Sequence, residues 1–385
     1  MEWKGLKIGT VRGIPIRIHF TFLLVLPLLA FSFSRSFKVA AEAAGIPVDQ
    51  LTGNPMLWGL GIALALFASV LLHELAHSLY ALSKGGRVEG ITLLMIGGVS
   101  QLSQPPKEAR DEGVMALVGP LLSLGLGGGL FLLGGVLPGG VPNLKLLLIY
   151  LGMLNLVLGL FNLLPAFPMD GGRILRALLT RRLGRVGATV LAARVGKGFA
   201  LLFGLWGLLS GNLMLLLIAV FVFIGAEGES QSVTTQEAFA RLQVEELMNP
   251  QVATVPSQLP LEEAADRMLA TRTLTVAVTD ASGVRGVLTL ELLRAVPVDQ
   301  RATLTAAEVA AKVPVVGPQT QAIEVARLLS QVKVPLVLVE EAGALVGVVT
   351  REDLSRGLKL QELRAVTRPV SNGDRLHYRR SASEP

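Results

Sequence analysis

Three polar side chains stand inside one apolar run. The run covers residues 56–82, and residues 70–80 read VLLHELAHSLY, which sets His73, Glu74 and His77 among leucines and alanines. Histidines four apart lie on one face of a helix, so both imidazoles can reach a single metal ion. Glu74 sits beside the first of them, where it can take a proton from an attacking water. The spacing H-E-x-x-H is that of helical zinc hydrolases. With four His in 385 residues, chance would bring this pattern to about one such chain in 400. The competing reading is a buried, hydrogen-bonded His pair without a metal.

Between Glu112 and Glu227 the one acidic residue is Asp170, in the segment NLLPAFPMDGG that begins at Asn162. A carboxylate beside the end of a membrane span is costly unless it is paired or bound to metal. Pairing with Arg173 at a helix N-terminus is the alternative. His73 lies about 25 Å along its span at 1.5 Å per residue, close to the far face of the membrane. The span that leads to Asp170 ends at that same face, so the two motifs meet at one depth.

These residues need a membrane scaffold, and the composition provides one. Hydrophobic residues make up 51% of the chain and charged residues 17%, and the mean hydropathy is positive. That balance belongs to a polytopic membrane protein. Hydrophobicity is concentrated before residue 228, which divides the chain into a membrane unit, 1–227, and a polar remainder. Six spans are expected, at 18–33, 56–82, 113–137, 144–164, 195–209 and 212–226, with 35–54 read as a polar loop and 171–187 as a basic segment. Residues 6–17 read as a strand or hairpin at the surface. Residues 91–102, ITLLMIGGVSQL, are too short to cross and contain Gly97-Gly98, so they read as a re-entrant or surface hairpin buried against protein. The fold class is therefore a polytopic α-helical membrane protein with a small membrane-associated β element and a soluble α/β domain.

Six spans put both termini on one side. The basic loops 84–87 and 173–185 fall there, so the positive-inside rule makes that side cytoplasmic. The first apolar run has no small-residue cleavage site after it and reads as a retained span. The net charge of +6 sits largely in these short loops and gives no reason to invoke nucleic acid. The chain has no Cys, which excludes disulfides and thiolate metal sites.

HELAH within a span, followed by N-x-x-P-x-x-P-x-D-G-G after a later one, resembles the site-2 protease family of intramembrane zinc metalloproteases. The resemblance covers essentially the whole membrane half. It implies one Zn2+ per chain held by His73, His77 and Asp170, with Glu74 as general base. The substrate would be a membrane-spanning protein, cut within the lipid bilayer near the cytoplasmic leaflet of a bacterial or archaeal cell membrane. Asn162 matches a family Asn that helps hold the substrate peptide or the developing oxyanion; a helix-packing amide is the plainer role. Gly97, Gly98 and Val99 look like the family's strand region beside the active site, whose edge could pair with an unwound substrate. Gly119-Pro-Leu-Leu-Ser123 resembles a further family motif, although a kink with close helix packing explains it as well.

After a connector, 228–243, the chain repeats itself at an offset of 61 residues. Residues 276–280 (VAVTD) recur as 337–341 (VLVEE), and 286–289 (GVLT) as 347–350 (GVVT). Each unit reads as strand, helix, strand, strand, helix, and the pair shares a core that neither buries alone. The units, 244–298 and 306–360, resemble two CBS domains, which implies an adenine nucleotide (ATP, ADP or AMP) contacted by Thr350 and Asp353. In the first repeat Thr289 is present but Leu292 replaces the Asp, so one complete site is expected. A purely structural pair, or a homodimer formed through it, is the alternative. Residues 364–385 read as a disordered tail. The rival to a protease is a CBS-gated transporter or channel whose polar cluster binds a permeating ion, and a third reading is a catalytically dead relative. Neither rival explains an intact Glu between two His.

Overall fold

The computed structural model describes residues 5–95, 97–104, 108–138, 140–281, 283–332, 334 and 336–367. The chain forms two compact units, which divide between Val233 and Thr234.

The first unit begins with a hairpin of β1 (Leu6–Val11) and β2 (Ile14–Ile18), turned by Arg12 and Gly13 at positive φ. Helix α1 (Phe20–Ala43) follows. It runs ten residues beyond the expected end of the first span, through much of the stretch read as a loop. Polarity rises after Phe33, but no residue there breaks a helix; the break comes at Gly45, at φ 67°. Helix α2 (Pro55–Ser83) carries HELAH. Asn54 caps it by accepting from the Met56 amide at 2.8 Å, and Pro55 fills the first turn, where its missing N–H is no loss.

The short apolar run after α2 forms a hairpin, β3 (Arg87–Leu94) and β4 (Gly97–Gln104). With β1 and β2 it completes a four-stranded sheet in the order β1-β2-β3-β4, in which β2 and β3 are parallel. Ile14, Ile16, Ile91 and Leu93 bury one surface of the sheet. β4 is an outer strand.

Helices α3 (Ala109–Val136) and α4 (Pro142–Asn162) pack through small residues. A Cβ on Gly127 would lie 2.7 Å from the Leu156 amide nitrogen, and one on Gly152 would lie 2.6 Å from that of Phe131. Such spacing lets backbones approach where lipid provides no hydrophobic drive between helices. Helix α5 (Asp170–Ser210) joins the basic segment 171–187 and the fifth expected span into one element broken only at Gly184, at φ 69°. Arginine is a good helix former, so a run of positive charge does not end a helix. Helix α6 (Leu213–Arg241) likewise stays helical through most of the expected connector. α1 to α6 are all long and apolar enough to cross a membrane.

The second unit contains two similar layers. The first holds β5 (Thr254–Pro256), α7 (Leu261–Thr271), β6 (Thr275–Asp280), β7 (Gly283–Thr289) and α8 (Leu290–Ala295). Helix α9 (Ala306–Val309) packs into the core of the first layer, and the second holds β8 (Val315–Val316), α10 (Ala322–Gln331), β9 (Leu336–Glu341), β10 (Ala344–Thr350) and α11 (Arg351–Thr367). Each sheet has three strands, ordered β5-β6-β7 and β10-β9-β8. Ala277, Val287, Leu336 and Leu338 form a core common to both repeats. Within the expected tail, 364–367 belong to α11, and 368–385 lie outside the described residues.

Candidate metal centre

α2 turns His73 and His77 to the same side and buries both, at 4% and 5% exposure. Their Nε2 atoms are 3.1 Å apart. Asp170, the first residue of α5, places Oδ2 3.1 Å from His73 Nε2 and 3.2 Å from His77 Nε2. The three atoms form a nearly equilateral triangle.

The far sides of the rings fix what faces the triangle. His77 Nδ1 lies 2.6 Å from the Met115 carbonyl, which can only accept. Nδ1 therefore carries the proton, and the neutral ring turns the Nε2 lone pair inward. His73 Nδ1 lies 2.9 Å from the Ser123 hydroxyl, which can accept in the same way. With both rings in that tautomer, two imidazole lone pairs and a carboxylate oxygen at such distances repel one another unless a cation stands among them. Tetrahedral zinc with donors at 2.0–2.1 Å spaces those donors about 3.3 Å apart. The residues fit that ion in number, type and spacing.

α3 keeps the space open. A Cβ on Gly119 would lie 2.2 Å from His77 Nε2 and 2.8 Å from His73 Nε2. Thus Gly119 and Ser123, four apart on α3, both serve the imidazoles, one by leaving room and one by a hydrogen bond. The kink reading of this motif misses both roles.

Asp170 arrives through the tight turn after α4. Gly171 and Gly172 lie against that turn; a Cβ on Gly171 would meet the Leu164 carbonyl at 2.1 Å. Behind it Phe167, 1% exposed, lies under the Arg176 guanidinium, 5.0 Å from the ring centre. Arg176 bonds Glu112 of α3 and, at 2.8 Å, Glu229 of α6. This triad, in which Arg176 and Glu112 are buried and Glu229 is partly exposed, joins three helices beside the loop that delivers the third ligand-type residue. Sequence reading gave it no role, because its members lie 53 and 64 residues apart.

Glu74 faces β4. Its Oε2 accepts from Ser100 Oγ at 2.7 Å. A Cβ on Gly98 would come within 2.5 Å of Glu74 Cγ, so Gly98 is where strand and helix touch. Gly97 and Val99 flank it and pair with Leu94 and Thr92. Asn162 ends α4 and its Nδ2 donates to the Leu158 carbonyl at 3.0 Å. Among the described residues, no hydrogen bond joins Asn162 to the His-His-Asp group. A different amide, Asn155, is fully buried and donates to Ser69 Oγ of α2 at 3.1 Å, one turn before His73.

In the second unit Thr350 lines a cavity of about 270 Å³ together with Asn249, Gln251, Thr273 and Thr275. Asp353 does not line it. Its Oδ2 accepts from the Thr350 amide at 3.0 Å and the Thr350 hydroxyl at 2.8 Å, closing the first turn of α11. Thr289 caps α8 in the first repeat through the Leu292 amide at 3.3 Å, with no carboxylate opposite.

Apolar helices that enclose two histidines, a carboxylate and an adjoining glutamate define a membrane-embedded metallohydrolase. The sequence matches Peptidase family M50 over residues 61–145 and 141–205, and the CBS domain over 244–298 and 306–360. Zinc metalloprotease MJ0392 of Methanocaldococcus jannaschii is 33% identical over 360 residues, covering 94% of this chain and 98% of the relative. A solved structure, the site-2 protease from Methanocaldococcus jannaschii, is 39% identical; the match covers 59% of this chain and 95% of that one, at a TM-score of 0.44. The chain belongs to peptidase family M50 and carries a pair of CBS domains behind its peptidase part.

Proposed function

We propose that this protein is an intramembrane zinc metalloprotease that cuts a transmembrane helix of a client protein near the cytoplasmic leaflet. The observation that carries the reading is the triangle of acceptor atoms on His73, His77 and Asp170, closed off by apolar helices and bordered by Glu74. His73, His77 and Asp170 would hold the ion, which would supply Lewis-acid polarisation of a carbonyl and a more acidic water. Glu74 takes the proton from the attacking water and returns it to the leaving amine. Gly97, Gly98 and Val99 offer the outer edge of β4 to the client, whose peptide must leave its helix because a helical carbonyl is occupied by its own i to i−4 bond. Asn162 exchanges its Leu158 bond for the client's backbone or the developing oxyanion. A transporter reading leaves Glu74 without a task.

The CBS pair regulates this activity by taking an adenine nucleotide beside Thr350. Asp353 supports that site from behind by fixing Thr350. A nucleotide shifts cleavage only by the difference in its affinity for two states of the protein.

The test uses purified protein, a single-span client and the Glu74→Gln variant. The variant keeps its zinc and its fold and loses cleavage by about 100-fold or more. Undiminished cleavage by Glu74→Gln removes the protease reading.

A further inference from the structure

We propose that Ser100 is a positioning residue for the general base, acting through the hydroxyl chain Ser78–Ser100–Glu74. The proposal rests on the protease reading above. Ser78 stands four residues after Glu74 on α2, so both project toward β4. Ser78 is fully buried, and its hydroxyl donates to Ser100 Oγ at 3.1 Å. Ser100 Oγ lies 2.7 Å from Glu74 Oε2 and 3.3 Å from the Glu74 carbonyl. Each hydroxyl has one proton. Ser78 spends its own on Ser100, so the Ser100 proton is free for the glutamate, and the shorter, charge-assisted bond to Oε2 wins.

The strand sets this register. Side chains alternate along β4, so Gly98 and Ser100 face α2 while Val99 points the other way and is 37% exposed. Gly98, where a Cβ would collide with Glu74 Cγ, lets the side chain lie against the strand, and Ser100 holds its Oε2. Among the described residues no donor reaches Oε1, which is left as the oxygen that handles the proton. The hydroxyl can stay bonded to Oε2 before and after that transfer. Because Ser100 projects from the face of the strand and a client pairs with its edge, client binding leaves the hydroxyl in place.

The experiment compares Ser100→Ala, Ser100→Cys, Ser100→Thr and Ser78→Ala in full-length protein with a single-span client. A lost hydrogen bond to a charged group predicts that Ser100→Ala lowers kcat about tenfold or more, with KM and bound zinc unchanged. Ser100→Cys, close in shape but a weak donor, behaves alike and serves if the alanine variant does not fold. Ser100→Thr restores kcat to within about threefold, and Ser78→Ala falls between. A wild-type kcat in both the alanine and cysteine variants overturns the proposal. So does a raised KM with kcat intact, which would make Ser100 a docking residue, or loss of zinc, which would make it structural. A wild type that holds zinc yet cleaves no client defeats the protease reading and this proposal together, whereas equal cleavage by wild type and Ser100→Ala defeats this one alone.

Discussion

Gly119 carries no functional group, yet the imidazoles depend on it. Gly119→Ala puts a carbon within 2.2 Å of His77 Nε2, and the backbone of α3 cannot yield that much. Purified Gly119→Ala protein should hold less than about half the wild-type zinc by elemental analysis, with α-helical content unchanged. Full zinc in this variant would mean that the metal does not sit between the two Nε2 atoms. Asp170→Ala should also lower bound zinc; wild-type occupancy there would return Asp170 to the role of an Arg173 partner. Residues with distinctive chemistry were legible in the sequence: His73, Glu74 and His77 by spacing, and Asp170 as the lone acid of a long apolar tract. Ser100 and the Met115 carbonyl were not, since serines and main-chain oxygens are common and only the fold says which of them meet an imidazole or a carboxylate. Asn162 shows the converse, a motif residue that this structure bonds to its own helix.

At the scale of elements, α1, α5 and α6 show one rule. Hydropathy marks where an apolar run ends, whereas a helix can continue through polar and basic residues of good helix propensity. The six spans could thus be read from the sequence, and their helical continuations past Phe33, through the arginines of 173–185 and on to Arg241 could not. The sheet was half legible: the hairpin that forms β3 and β4 was expected, but its parallel pairing with β2 joins residues some 75 apart and has no local signal. The Glu112–Arg176–Glu229 triad fastens α3, α5 and α6 around the Asp170 loop. Arg176→Met leaves the buried Glu112 carboxylate without its partner, while the partly exposed Glu229 can turn to solvent, and should cost about 3 kcal/mol. Thermal unfolding in detergent would report it as a lowered midpoint, together with faster loss of zinc to a chelator. An unchanged midpoint would show that the triad is solvated and idle.

For the whole molecule, orientation and regulation can each be measured. Reporter fusions after Asn54 and Leu209 should report the outside, and fusions after Arg87 and Arg185 the cytoplasm; a cytoplasmic signal at Asn54 inverts the arrangement and separates the CBS pair from cellular nucleotide. Calorimetry of the full-length protein should detect binding of ATP, ADP or AMP. Asp353→Ala should weaken that binding far more than Leu292→Ala, because Asp353 alone fixes a threonine at the cavity. A nucleotide that binds one state about tenfold more tightly than the other supplies roughly 1.4 kcal/mol of coupling, enough to change cleavage several-fold. A flat calorimetric trace would leave the pair as a packing or dimerising module. The outer edge of β4 has a consequence of its own. The strand is eight residues long, and only every second residue turns its amide and carbonyl outward, so it can grip about four residues of a guest chain. A guest that stays coiled offers nothing to hold. Clients would then be sorted by how readily a short stretch frays, and the protease would respond to mechanical weakness more than to side-chain identity. A single Gly or Pro moved along a client should carry the cut site with it.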